Sequence, residues 1–124
     1  MKILIVDDES QIRGMLSTLF KRAGFAVEAV TNGAAAISLC QTDTFDVVLS
    51  DVMMPQMNGH ELAQWVAVHA PTTITVLMTG YDPGCDGCPY TPHCAMIAKP
   101  FVPKDLLDTV YSLLAQRATN LPIC

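Results

Sequence analysis

Residues 3–24 read ILIVDDESQIRGMLSTLFKRAG, and this stretch decides the fold. Ile3 to Val6 is an unbroken apolar run, the mark of a strand buried on both faces. The run ends on an acidic pair, Asp7-Asp8. Ile12, Met15, Leu16, Leu19 and Phe20 then recur at steps of three and four, which predicts an amphipathic helix that Gly24 terminates. The rest of the chain repeats this strand-then-helix unit. Phe25 to Val30 reads as a second strand with Asn32-Gly33 as its turn, and Ala34 to Cys40 as a second helix. Phe45 to Leu49 is a third buried strand that stops at Asp51. Leu62, Trp65 and Val66 line a third helix closed by Pro71, ahead of a fourth strand from Ile74 to Met78. Ala95 to Ala98 is a weak fifth strand, and Leu106, Leu107, Val110, Tyr111 and Leu114 stripe a last helix. Alternation at these lengths is that of right-handed βαβ units, so the class is α/β with a parallel sheet.

Composition narrows the function. A chain of 124 residues, 51% hydrophobic and 15% charged, folds as one domain and is not disordered. Seven Lys and Arg against twelve Asp and Glu leave a net charge of −5, which argues against sequence-independent nucleic-acid binding. No apolar run approaches the roughly 20 residues of a membrane span. The N-terminus meets Asp7 too soon for a signal peptide. The expectation is a cytoplasmic domain over residues 1–117, with 118–124 a tail or the start of a linker, and no direct nucleic-acid or membrane partner. Thiols stay reduced in that compartment, so the five cysteines do not read as a disulfide framework.

In open parallel sheets, ligands sit outside the carboxyl ends of the strands. Asp7 and Asp8 follow the first strand, Asp51 the third, Thr79 the fourth and Lys99 the fifth. Close carboxylates repel unless a hard cation lies among them, and an oxygen-rich, incomplete shell suits hydrated Mg²⁺. Thr79 and Lys99 add donors suited to phosphoryl oxygens. An Asp beside Mg²⁺ is a competent nucleophile towards phosphorus.

At these residues the chain resembles the receiver domains of two-component response regulators. The match runs through Val6-Asp7-Asp8-Glu9, Asp51-Val-Met-Met-Pro55-Gln-Met-Asn-Gly59, Thr79-Gly80 and Lys99-Pro100-Phe101, in order, across nearly the whole chain. The resemblance implies a flavodoxin-like (βα)5 three-layer sandwich whose five-stranded sheet has the order 2-1-3-4-5. It implies Mg²⁺-dependent phosphoryl transfer to Asp51 from a sensor histidine kinase or phosphotransfer protein, and a downstream effector that reads the result. By the match, Asp8 and Asp51 ligate Mg²⁺ through their side chains, Met53 through its backbone carbonyl, and Asp7 mostly through water. Thr79 binds phosphoryl oxygens and shifts on phosphorylation, Lys99 pairs with the acyl phosphate, and the Lys99-Pro100 bond is cis. Such a domain catalyses its own phosphorylation and slow dephosphorylation, here tuned by Met53 and Tyr81, rather than turning over an external substrate. Asp-nucleophile phosphatases of the haloacid dehalogenase kind share this logic, but they place an acidic residue two positions after the nucleophile, where this chain has Met53.

The chain departs from the family twice. Met96 stands three residues before Lys99, where members usually carry an aromatic switch residue. Between the fourth and fifth strands, Pro83, Pro89 and Pro92 with Gly80, Gly84 and Gly87 forbid a normal helix, so the fourth helix is expected to be replaced or much shortened. That segment instead carries Cys85, Cys88, His93 and Cys94. A Cys₃His Zn²⁺ site, a redox pair or disulfide, an iron–sulfur cluster, and small, partly buried thiols all fit that inventory. The alternative function is accordingly a metal- or redox-sensing interaction module. His60 and His69 fall on the third helix, where surface placement is expected.

Overall fold

The computed structural model describes residues 1–52, 59–79, 94–98 and 102–120; at residues 60, 79, 94–96, 98 and 117–120 it describes the main chain alone. Five strands, β1 (Lys2–Val6), β2 (Ala26–Val30), β3 (Val47–Asp51), β4 (Ile74–Thr79) and β5 (Cys94–Ala98), form one parallel sheet of order β2-β1-β3-β4-β5. Among the described residues four helices accompany them: α1 (Ser10–Arg22), α2 (Gly33–Thr42), α3 (Gly59–His69) and α4 (Pro103–Asn120). This is the expected α/β flavodoxin-like arrangement. The expected replacement of a helix between β4 and β5 lies outside the described residues.

The apolar runs are continuous because the sheet is covered on both sides. Alternate residues of one strand enter different cores. Ile3 and Ile5 of β1 pack with Val47, Leu49, Val76 and Met78 beneath Leu16 and Phe20 of α1 and Leu106, Val110 and Leu114 of α4. Leu4 and Val6 face the other way, joining Val48 beneath Ala36 of α2 and Leu62 and Val66 of α3. Phe20 is fully buried and meets Phe25 edge-on at a centroid distance of 5.2 Å. The edge strand β2 is less covered than β1, β3 and β4, with Ala26, Glu28 and Ala29 exposed.

Local chemistry sets the helix ends. Gly24, at φ +95°, lets the chain reverse after α1, and the Phe25 N–H closes that end by donating to the Phe20 carbonyl at 3.0 Å. Asn32-Gly33 differs from the turn expected of it. Asn32 is the N-cap of α2, its Oδ1 accepting from the Ala35 N–H at 2.8 Å, and Gly33 is already helical. The physical reason is that a βα connection needs a side-chain acceptor for the first orphan N–H groups, and Asn serves a cap as well as a turn. Pro103 opens α4, where a missing N–H costs nothing.

Candidate functional site

All five strands run the same way, so their carboxyl ends define one edge. β1 delivers Asp7 and Asp8 there, β3 delivers Asp51 as its last residue, and β4 ends at Thr79. The structure brings the three carboxylates together: one oxygen from each of Asp7, Asp8 and Asp51 lies within 4.8 Å of the other two. Asp7 is fully buried, Asp51 is 6% exposed and Asp8 is open to solvent. Two unit charges at such a separation repel by roughly 3 kcal/mol at an effective dielectric constant of about 20. A dication among them reverses that sign, and three carboxylates on one open side match the oxygen-rich, hydrated shell of Mg²⁺. The donor set therefore fits the ion that the sequence implied.

Main-chain bonds position two of the carboxylates, Asp7 and Asp51. Asp7 extends the β1–β2 ladder by one bond, its N–H donating to the Val30 carbonyl at 3.2 Å. Its Oδ1 accepts from the Glu9 N–H at 2.9 Å, a side-chain turn that bends the chain off the sheet towards α1. Asp51 is set by β3: its neighbour Ser50 is buried, and the Ser50 hydroxyl donates to the Asp51 carbonyl at 2.9 Å. Val52 then donates to the Met78 carbonyl at 3.0 Å, continuing the contact with β4 just beyond the acid.

Two contributors carried no role in the sequence reading. Gly59, the first residue of α3, donates to the Val52 carbonyl at 2.9 Å and packs against the end of β3. A Cβ there would stand 2.7 Å from the Asp51 carbonyl oxygen and 2.9 Å from both Leu77 Cδ2 and Val52 Cα. Gly59 closed the Asp51–Gly59 motif, but periodicity gives no sign that a backbone passes so close. The second is Arg13, whose Nη1 donates to the Asp7 carbonyl at 2.9 Å.

Of the other expected site residues, Thr79 is placed by its main chain, paired with Ala98 at the end of the β4–β5 ladder. Cys94 opens β5. Met53, Tyr81, Cys85, Cys88, His93, Lys99 and the Lys99-Pro100 bond lie outside the described residues, and so does any Zn²⁺ site at the cysteine loop. Met96 lies within β5, opposite Leu77. His69 is exposed in the last turn of α3, stacked on Trp65 at 4.4 Å with Nδ1 2.9 Å from the Trp65 carbonyl oxygen. Among the described residues no helix is long and apolar enough to cross a membrane.

The opposite edge, where the strands begin, pairs its charges. Lys2 is hydrogen-bonded to Asp43 and holds that carboxyl below its ordinary range. Burial, with a smaller contribution from the Asp43 charge, pushes the Cys40 thiol up. The two line a cleft of about 260 Å³ between the carboxyl ends of α2 and α3.

Comparison with known proteins supplies the family. A model of the response regulator receiver domain matches residues 3–111. The transcriptional regulatory protein SrrA of Staphylococcus aureus is 31% identical over 122 residues, which cover 91% of this chain and 47% of SrrA. The chain spans about half the length of that relative. Among solved structures, the chemotaxis response regulator CheY4 of Vibrio cholerae aligns with a TM-score of 0.78 and 32% identity, covering 90% of this chain and 97% of CheY4. The response regulator TrrA of Thermotoga maritima, solved with Mg²⁺ and BeF, aligns with a TM-score of 0.80 and 26% identity, covering 90% and 97%.

Proposed function

The chain belongs to the response regulator receiver domain family, and from that premise we propose that Asp51 accepts a phosphoryl group from a phosphohistidine of a sensor kinase or phosphotransfer protein. The observation that carries this assignment is the meeting of Asp7, Asp8 and Asp51 within 4.8 Å at the carboxyl edge. Asp51 sits at the end of its strand, nearly buried but still in contact with solvent. Its oxygen attacks phosphorus, the P–N bond to the donor imidazole breaks, and the imidazole leaves with that electron pair. The product is an aspartyl phosphate.

Asp8 and Asp51 would hold Mg²⁺ through their side chains, with Met53 adding its main-chain carbonyl and Asp7 acting through water. Bound there, the ion neutralises carboxylate and phosphoryl charge that the acids alone would oppose. The Thr79 hydroxyl and the Lys99 ammonium hold the phosphoryl oxygens. Hydrolysis reverses the modification: water attacks phosphorus, the P–O bond breaks and the Asp51 carboxylate returns. The domain, residues 1–117, thus changes its own state rather than converting an external substrate, and a downstream effector reads that state. A cytoplasmic setting suits a kinase partner.

Intact mass after incubation with Mg²⁺ and acetyl phosphate tests the assignment. One phosphoryl adduct is expected on the wild type and none on Asp51→Ala. An adduct on Asp51→Ala at the wild-type rate overturns it.

A further inference from the structure

We propose that Arg13 is a positioning residue for the cation site, holding the main chain that carries Asp7 and Asp8 in its ligating course. The inference rests on the reading of that site as an Mg²⁺ centre. Arg13 stands one turn into α1, where its own N–H makes an early helical bond, to the Glu9 carbonyl at 3.0 Å. Its side chain reaches back over that turn, and Nη1 donates to the Asp7 carbonyl at 2.9 Å. The main chain of Asp7 is thereby held at both ends, by Val30 on the N–H side and by Arg13 on the carbonyl side. The Asp7 carboxylate is tied separately, to the Glu9 N–H.

Asp8 is the exposed member of the trio and follows directly after the carbonyl that Arg13 grips. Its course is set by the residues on either side, so the peptide joining Asp7 to Asp8 is the lever that aims its carboxylate. A guanidinium anchored on a helix is a rigid donor for that peptide. Outer partners that orient a metal ligand typically matter by about 10–100-fold in metal affinity.

A rival role makes the opposite prediction. Arg13 is also a fixed positive charge beside a cation site, and as a charge alone it opposes Mg²⁺. Removing it would then tighten binding, whereas removing a positioning residue weakens binding.

Calorimetric titration of Mg²⁺ into the phosphate-free protein separates the two, because it reads the site without phosphoryl transfer. Arg13→Ala is expected to bind Mg²⁺ about tenfold more weakly, and Arg13→Lys, which keeps the charge and a donor group, to recover most of that loss. Arg13→Met, which keeps the apolar stem and carries no donor, serves the same comparison if the Ala variant does not fold. Lys2→Met, at the opposite edge, is expected to keep wild-type affinity. Wild-type or tighter binding by folded Arg13→Ala or Arg13→Met overturns the inference and leaves the cation site standing. Failure of the wild type to bind Mg²⁺ overturns both.

Discussion

The two edges of the sheet treat carboxylates in opposite ways. At the amino edge, acids meet a base. The Lys2 ammonium pairs with Asp43 and lies 5.2 Å from the centre of the Phe45 ring, while the Lys2 N–H donates to Asp46 Oδ2 at 2.8 Å and its carbonyl accepts from the Asp46 N–H. At the carboxyl edge, acids meet one another, and Asp7, Asp8 and Asp51 converge within 4.8 Å. The first arrangement joins β1 to the start of β3 and is complete as folded. The second gathers like charge, which folding alone does not favour and which a bound cation makes sensible. Charges pair at one end of the sheet and crowd at the other.

The contrast is broken most severely at Gly59. Gly59→Ala places a methyl group 2.7 Å from the Asp51 carbonyl oxygen, against main chain that has little room to retreat. Overpacking of that kind costs about 1–3 kcal/mol. The expected outcome is a lowered melting temperature together with weaker Mg²⁺ binding, because the displaced main chain carries Asp51. Melting curves and Mg²⁺ titration of the one variant check both halves, and a loss of stability with unchanged affinity would uncouple α3 from the acidic edge.

A smaller effect, of opposite sign, is expected at Gly14. It is exposed in the middle of α1, with nothing within 4 Å of a Cβ built on it. Gly14→Ala removes a helix-interior glycine and is expected to stabilise by about 0.5–1 kcal/mol. Mg²⁺ affinity should not move, although the neighbouring residue is Arg13. Chemical denaturation beside the titration tests this, and weakened binding would mean that α1 must flex for the acids to reach the ion.

The smallest effect belongs to Lys2. Asp43 is held below its ordinary value of 3.8 first by the hydrogen bond from Lys2. A depressed carboxylate adds stability above that ordinary value and loses it as the pH falls through the lowered one. The pair is exposed, so the gain is small. Melting temperatures of wild type and Lys2→Met should differ slightly near neutrality and converge in strong acid. A difference that persists in acid would assign the role of Lys2 to its contact with Phe45 instead.

Most of the frame was legible because both faces of the sheet are buried. Ile3–Val6 and Val47–Leu49 are apolar without interruption and Ile74–Met78 is broken only by Thr75, a pattern that suits a strand packed on two sides. The acidic trio was legible for a related reason: in a parallel sheet every strand's last residue falls on one edge, so strand ends alone bring Asp7, Asp8 and Asp51 together. What escaped depends on contacts that only the folded chain makes. Gly59 is an ordinary glycine until β3 runs beneath it, and Arg13 an ordinary helix residue until the chain at Asp7 turns back over α1. Asn32 escaped otherwise, since cap and turn ask the same side chain for the same oxygen.

The strand order also sets a schedule. β1 is made first yet lies inside the sheet, and its two neighbours, β2 and β3, are made later. A chain growing from its amino end therefore carries this strongly apolar strand with at most one of its two partners, β2, until Asp51 has been added. The acidic edge is assembled over the same interval: Asp7 and Asp8 are present from the outset, and their third partner arrives with the last residue of the strand that seals β1 in place.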